Sequence, residues 1–407
     1  MKKTILLILC ALLSLSLAAC GTTAAPTPTP EPTAAPTPEP TPVPTPEPTP
    51  FVEPVTVPDC PVTFDGKELP GGSVLIGEVR YVRLSEVAEA LGLELQHEEG
   101  SPEFRFPWRH GEVSLSADSP VLRYLDTDTA LETAPVLYDE GKGLFVPLRS
   151  FCEGAQIGYF YDEEYEHLYC TPAAGNWAVP EGYDVALMMY HGVGPWPPEA
   201  NLFVDPVDME KQIVYLLDNG YTPIWFEDLE HIEDFEKPVL LTFDDGWENT
   251  YYYLMPLLEK YQVKATTFII TGDIGRYPGN KLDLDMVKEM DQSGLMSIQS
   301  HTVSHSELTY LSEEARREEF EQSKLYIIRN LGKEPYALSY PIGASDPDVE
   351  RVAAEYYRFA VKMGGKTPYN TSENPMLMYR FFPQRQTPLS EYAGWLTSCF
   401  GPDAVTE

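Results

Sequence analysis

The chain is 407 residues long, enough for two or three domains of about 100–200 residues each. It carries 63 acidic against 28 basic residues, a formal net charge of −35, which argues against nucleic acid or anionic lipid as the ligand. The same charge suits a neutral glycan or a cationic product, and it equally suits a solvated acidic surface that aids solubility.

In chain order, the first segment reads MKKTILLILCALLSLSLAAC: two lysines, an apolar stretch short for a membrane span, then small residues before Cys20. This is the pattern of a secretion signal. Leu17-Ala18-Ala19-Cys20 resembles a bacterial lipobox. That resemblance implies a lipoprotein signal peptide over 1–19, cleavage before Cys20 and lipidation of its sulfur. The alternative is an ordinary signal peptide in which Cys20 is incidental. Residues 20–58 form a Pro/Thr/Glu-rich linker, as in 26-PTPTPEPTAAPTPEPTPVPTPEPTP-50. Proline fixes φ and removes a donor, so this stretch builds no core. It is expected to be a semi-rigid spacer of about 3 Å per residue, holding the folded part away from a membrane. The expected location is the extracellular face of a bacterial membrane or the cell wall. No later segment reads as a membrane span.

Residues 59–173 are expected to fold as a smaller α+β domain with a weak internal repeat. The stretches 80-RYVRLSEVAEALGLELQHEE-99 and 144-LFVPLRSFCEGAQIGYFYDEE-164 each read as strand, short amphipathic helix, alternating strand. With 61-PVTFDGKEL-69 they resemble the copper amine oxidase N-terminal-like domain, which implies a non-catalytic stalk or a wall- or partner-binding module. His97, His110 and His167 lack ligand spacing, so no copper site is expected. The cysteines after residue 20 are Cys60, Cys152, Cys170 and Cys399, with no Cys-x-x-Cys pair. Cys60 and Cys170 bracket this domain, leaving open a bridge between them or free buried thiols.

Residues 183–400 alternate strand-like and helix-like runs. The strands are 185-VALMMY-190, 239-VLLTF-243, 264-KATTFII-270, 296-MSIQS-300, 337-ALSYP-341 and 358-RFAVKM-363. The helices are 208–220, 249–261, 285–294, 312–332 and 347–357, several opening at an Asp, Ser or Asn cap and closing at Gly. Doubly buried strands alternating with helices imply a parallel sheet, and about 220 residues suit one barrel-like α/β domain. Chemistry in such folds sits at the carboxyl ends of the strands.

Those ends carry the unusual residues. In 238-PVLLTFDDG-246 an apolar strand runs into Asp244 and Asp245. Adjacent carboxylates repel unless a cation or a shared proton compensates. Neighbours in extended chain point to opposite sides, so the two need not do the same work. In 300-SHTVSH-305, His301 and His305 stand four apart, a spacing that lets both bind one metal. A carboxylate from another strand completes a ligand triad and leaves positions open. A nearby dication offsets the carboxylate repulsion and acidifies bound water. Two further strand ends are 339-SYPIG-343 and His191 in 188-MMYHGV-193. Trp247, beside the Asp-Asp-Gly turn, suits either stacking on a sugar ring or plain packing.

With those motifs stated, residues 183–400 resemble the polysaccharide deacetylase family, also called the NodB homology domain or carbohydrate esterase family 4. The resemblance rests on TFDDG at 242–246 and SHTVSH at 300–305. It implies an α/β fold, a distorted (β/α) barrel, with Asp244 as general base and Asp245, His301 and His305 as ligands of a divalent metal. Zinc is the usual metal, with cobalt or nickel as alternatives. The runs MMYHGV, KPVLLTFDDG and ALSYPIG are most similar to the branch acting on poly-β-1,6-N-acetylglucosamine. For that branch the resemblance implies an oxyanion donor at the backbone near Tyr340, with Tyr340-Pro341 shaping the groove. Arg380 in 377-LMYRFF-382 is expected to orient Asp244, with Arg385 as its rival. No histidine follows His305, so His191 is the candidate acid for the leaving amine, or else makes a structural hydrogen bond.

The expected function is removal of N-acetyl groups from an extracellular glycan containing N-acetylglucosamine. Chitin oligomers, peptidoglycan and O-acetyl xylan stand as alternative substrates for the same mechanism. A glycan-binding or scaffold lipoprotein with weak turnover is the alternative of another class.

Overall fold

The structure is a computed structural model that describes residues 53–98, 100–109, 111–139, 143–171, 179–194, 201–364 and 368–401. The expected signal peptide, Cys20, His110 and all but residues 53–58 of the expected linker lie outside the described residues. No helix among the described residues is long and apolar enough to cross a membrane.

In the N-terminal region, Val57 and Pro58 pair with Leu75 and Val74, so ordered pairing begins two residues before the expected boundary at 59. The repeat is real at the level of structure. Strand Val79–Arg83 leads into helix Leu84–Ala90, and strand Gly143–Pro147 leads into helix Leu148–Gly154. The two strands pair with each other, Phe145 opposite Arg83, so the repeat units share one sheet. The helices bury Leu84, Val87 and Ala90, and Leu148, Phe151 and Cys152, against a common core. Between the repeats, 96–130 forms an antiparallel five-stranded sheet that alternates buried and exposed residues, as in Glu103–Trp108.

Of the two alternatives left open for Cys60 and Cys170, a bridge or free thiols, the structure has free thiols. All four described cysteines are free. Strand His167–Thr171 runs parallel to Val62–Phe64 with Cys170 opposite Phe64, which leaves Cys60 four residues out of register. The Cys60 thiol instead lies 3.3 Å from Ser73 Oγ. Cys170 Sγ lies 3.8 Å from Cys152 Sγ in the core.

The C-terminal region is a nine-stranded sheet curled into a nearly closed barrel. Around it run Asp184–Tyr190, Pro238–Asp244, Ala265–Ile269, Met296–Ser300, Ala337–Ser339, Phe359–Met363 and Met378–Arg380, all parallel. The distortion sits at Pro238–Asp244, whose lower half pairs with Thr222–Ile224 and whose upper half pairs with Thr266–Phe268. Closure falls to one residue: Phe381 N–H donates to Leu187 O at 2.8 Å and Met189 N–H to Phe381 O at 2.7 Å. Every residue of Pro238–Asp244 is buried, which is why that run is apolar but for Thr242, whose hydroxyl is hydrogen-bonded, and the terminal Asp244.

Side-chain caps set the helix starts. Asp205, Asp283, Ser312 and Asp346 accept from backbone N–H groups of the first turn. The helix expected over 249–261 is instead a π-helical turn, Thr250–Leu254, followed by α-helix Met255–Tyr261. Pro256 has no N–H to donate backward, so regular α pairing fails there.

The small domain docks on the amino-terminal side of the barrel. Arg329 Nε donates to Asp162 Oδ2 at 2.7 Å, and Thr171 Oγ1 donates to Glu334 Oε2 at 2.9 Å. Gly332, at φ +69°, comes so close to the Asp65–Gly66 turn that a Cβ there would lie 2.4 Å from Gly66 Cα. Gly294 has nearly the same φ, +68°, but nothing within 4 Å of a Cβ. Gly294→Ala is therefore expected to cost about 1 kcal/mol in chemical denaturation, from backbone strain alone. Gly332→Ala is expected to cost about 2 kcal/mol more, because the backbones must separate. Equal losses would mean that this contact contributes nothing to stability.

Candidate active site

At the barrel mouth the strand Pro238–Asp244 gives way to two left-handed residues, Asp245 at φ +74° and Gly246 at φ +64°. The turn swings Asp245 away from Asp244, so the two carboxylates face different neighbours. Thr302 (φ +66°), His305 (φ +57°) and Ile342 (φ +61°) are also left-handed without being glycine. Such conformations persist only where surroundings enforce them, and here they cluster in loops at neighbouring strand ends.

Asp244 is buried and points into the barrel on the same side as Thr242. Arg380 meets it with both terminal nitrogens: Nη1 to Oδ1 at 2.8 Å and Nη2 to Oδ2 at 2.7 Å. Ser339 Oγ donates to Oδ2 at 3.1 Å, and Arg380 also reaches Thr242 Oγ1 and Ser339 Oγ. Burial pushes the Asp244 carboxyl up, but the Arg380 guanidinium outweighs it and holds the group below the usual carboxylate range. Oδ2 accepts two bonds and Oδ1 one, so Oδ1 keeps acceptor capacity.

Asp245, His301 and His305 converge. One ligand atom from each lies within 4.8 Å of the others. Asp245 Oδ1 is 3.4 Å from His301 Nε2 and 3.6 Å from His305 Nε2. His301 Nδ1 is 2.7 Å from Ser339 O, a pure acceptor, so the proton sits on Nδ1 and the Nε2 lone pair faces the other two groups. Asp245 Oδ2 accepts from Trp247 Nε1 at 3.0 Å, which leaves Oδ1 for the cluster. Burial, then His301, holds the His305 ring below its ordinary value. Two imidazole nitrogens and an ionised carboxylate oxygen converging on one point are the donor set of a divalent metal with open positions, so these residues fit such an ion.

The other expected residues fall out as follows. Arg380 meets Asp244 with both terminal nitrogens, while the Arg385 backbone N–H donates to Asn201 O. His191 is half-buried near both aspartates, its Nδ1 without a hydrogen-bond partner among the described residues, and desolvation holds the ring below its ordinary value. The expectation that Tyr340 shapes the groove is corrected. Side chains alternate along a strand, so with Ser339 turned toward Asp244, Tyr340 turns outward. It packs with Phe320, Val349 and Val352 beneath helix Pro347–Ala353. Its N–H is committed to Val361 O at 3.1 Å, and Pro341 has none. The next N–H, that of left-handed Ile342, has no backbone partner among the described residues. Lys281, absent from the sequence reading, donates to Asp245 O at 2.8 Å and lies 4.1 Å from the Trp247 ring centroid. No local motif marks it, because it arrives from a separate loop.

A model of the polysaccharide deacetylase family matches residues 232–358. A protein of Bacillus subtilis named "Putative polysaccharide deacetylase YxkH" is 30% identical over 220 residues, 53% of this chain and 74% of its own length. The chain belongs to the polysaccharide deacetylase family. It is a hydrolase of the class acting on carbon–nitrogen bonds. The poly-β-1,6-N-acetyl-D-glucosamine N-deacetylase of Staphylococcus aureus is 31% identical over 147 residues, 33% of this chain. The chain spans about half, 51%, of that relative's length. Among solved structures, the Streptococcus pyogenes deacetylase PplD in complex with acetate is similar at TM-score 0.50 and 28% identity. That similarity covers 53% of this chain and 99% of PplD. This polysaccharide deacetylase thus has the distorted barrel expected from its motifs.

Proposed function

We propose that the protein removes N-acetyl groups from N-acetylglucosamine units of an extracellular polysaccharide, of the poly-β-1,6-N-acetylglucosamine or cell-wall type. One observation carries the reading: an ionised, arginine-clamped carboxylate, Asp244, stands beside a separate ligand triad, Asp245, His301 and His305. A base and a metal site must be distinct groups, and here they are. The similarity to the staphylococcal enzyme supports the glycan assignment.

Asp245, His301 and His305 would hold zinc, with cobalt or nickel as alternatives. The chemistry such an ion supplies when bound is Lewis-acid polarisation and acidification of water. Asp244 Oδ1 accepts the proton of the water attacking the amide carbonyl. Arg380 and Ser339 fix that carboxylate so that no reorganisation is needed during the reaction. The Ile342 N–H is the donor for the developing oxyanion. The proton taken up by Asp244 must reach the leaving amine nitrogen as the C–N bond breaks, and the His191 ring, whose Nδ1 has no hydrogen-bond partner among the described residues, is the group that relays it. Acetate departs, and the glycan gains a free amine.

Further parts of the reading concern placement. Lipidation at Cys20 anchors the chain on the extracellular side. The 20–58 segment acts as tether, and the small domain, similar to the copper amine oxidase N-terminal-like module, acts as a stalk.

The test is acetate release by a chain starting at residue 53, stripped of metal and reloaded with zinc, cobalt or nickel. Substrates are poly-β-1,6-N-acetylglucosamine, peptidoglycan, chitin oligomers and acetylated xylan. Stripping is expected to abolish release and reloading to restore it, with one ion bound per chain. His301→Ala is expected to lose both the ion and the activity. One ion bound with no release from any substrate would favour a glycan-binding scaffold instead.

A further inference from the structure

The segment that carries both candidate histidine ligands is neither helix nor strand. On a helix, residues four apart share a face because the backbone repeats. Here His301 and His305 meet, ring centroids 4.7 Å apart, across an irregular loop in which Thr302 and His305 are left-handed. Such a loop keeps one shape only where its surroundings enforce it and its backbone groups are committed.

The commitments run N–H by N–H. That of His301 donates to Ile269 O at 2.9 Å, that of Thr302 to Ser300 Oγ at 3.2 Å and that of His305 to Thr302 Oγ1 at 3.2 Å. The two between, of Val303 and Ser304, both donate to Glu319 Oε2, at 2.9 and 3.0 Å, and the Ser304 hydroxyl donates to Glu319 Oε1. On the other side, the carbonyls of Thr302 and Val303 accept from the N–H groups of Thr271 and Gly272 at 3.1 and 2.9 Å. Glu319 lies on helix Glu313–Leu331, and Ser323, one turn further on, bonds Ser300 Oγ at 2.7 Å. One helix face therefore braces the loop at its start and at its middle. Glu319 alone among these partners brings a charge, and a charged acceptor makes the stronger bond to N–H.

We infer that Glu319 is a positioning residue of the candidate metal site: its carboxylate fixes the loop so that the His301 and His305 imidazoles converge with Asp245. The inference rests on the reading of those three residues as metal ligands. Glu319 acts through the loop backbone, since both its oxygens are spent on residues 303 and 304 and it is not among the converging ligand atoms. Nothing local marks it, because it stands in 313-EEARREEFE-321, a charged run that reads as a solvated helix face. Val303 is half-buried and Ser304 exposed, so water replaces the carboxylate when Glu319 is shortened. The loop then loses its single shape while the barrel keeps its fold.

The test is zinc affinity, by competition with a chelator, of metal-stripped protein carrying Glu319→Ala, Glu319→Gln or Glu318→Ala. Glu318 is the control, an exposed neighbour on the same helix. Glu319→Ala is expected to weaken zinc binding by about 10–100-fold, the usual effect of removing a group that orients a metal ligand. Glu318→Ala is expected to change nothing. Glu319→Gln should fall between, since its amide oxygen still accepts from both N–H groups but without the charge. Cobalt-loaded proteins give a second readout: the visible absorption bands shift in Glu319→Ala, as ligand geometry changes, and hold in Glu318→Ala. Melting temperatures of the metal-free proteins check the fold. If Glu319→Ala melts far below the others, the comparison of Glu319→Gln with Glu318→Ala decides. Equal zinc affinity with unchanged cobalt bands overturns the proposal. No zinc bound by the unsubstituted protein removes the metal reading, and the role of Glu319 with it. Zinc bound without acetate release from any glycan sinks the deacetylase reading alone, and the affinities still decide the role of Glu319.

Discussion

Asp244→Asn lowers kcat for acetate release by about two to four orders of magnitude, the usual worth of a positioned general base. Bound metal stays at one ion per chain. The two outcomes separate because Asp244 is absent from the converging set of Asp245, His301 and His305. Asparagine keeps the shape and still accepts one Arg380 bond through its carbonyl oxygen, but its amide faces the other Arg380 nitrogen and the buried guanidinium loses its counter-charge, so a lower melting temperature accompanies the kinetic loss. What it loses is the acceptor on Oδ1 that takes the water's proton. Metal analysis beside steady-state kinetics checks this. Loss of the ion together with activity would place Asp244 among the ligands instead, and full activity would remove it from catalysis.

Arg380→Met has the largest expected effect on stability. The Arg380–Asp244 pair is almost wholly buried, with side chains 2% and 5% exposed. Deleting one partner strands the other charge in a poorly solvated site, which costs about 3–5 kcal/mol. A domain of this size should then melt about 10 °C lower. Activity falls too, since burial alone pushes Asp244 up and favours its protonated form. Arg380→Lys keeps the charge but not the two-pronged contact, so it should recover part of the stability and little of the rate. Calorimetry on the metal-free proteins checks the first point. A melting temperature within 2–3 °C of the unsubstituted chain, about 1 kcal/mol on the same scale, would show that Ser339 alone suffices to support the carboxylate.

The motifs at 242–246 and 300–305 were legible because their logic is local. An apolar strand that ends in carboxylates, and two histidines four apart, carry their chemistry in adjacent residues. The barrel was legible for a similar reason, since doubly buried parallel strands such as Asp184–Tyr190 and Pro238–Asp244 read as near-continuous apolar runs. The helix at 249–261 was only half legible: the apolar spacing is present, but Pro256 removes a donor and opens a π turn.

By itself, then, the chain determined which groups meet at strand ends, because strand alternation and turn chemistry depend on near neighbours. Tertiary structure decided which distant groups complete them. Arg380 prevailed over Arg385 because its strand pairs with Phe359–Met363, placing Arg380 opposite Met363 and its guanidinium inside the barrel, 136 residues from Asp244. Ser339 faces the site and Tyr340 does not, a choice of side set by the register with Phe359–Met363. Lys281 comes from a separate loop that reaches Asp245 only when the strands close. Side-chain meetings across the barrel depend on closure and register, which no short window of sequence encodes.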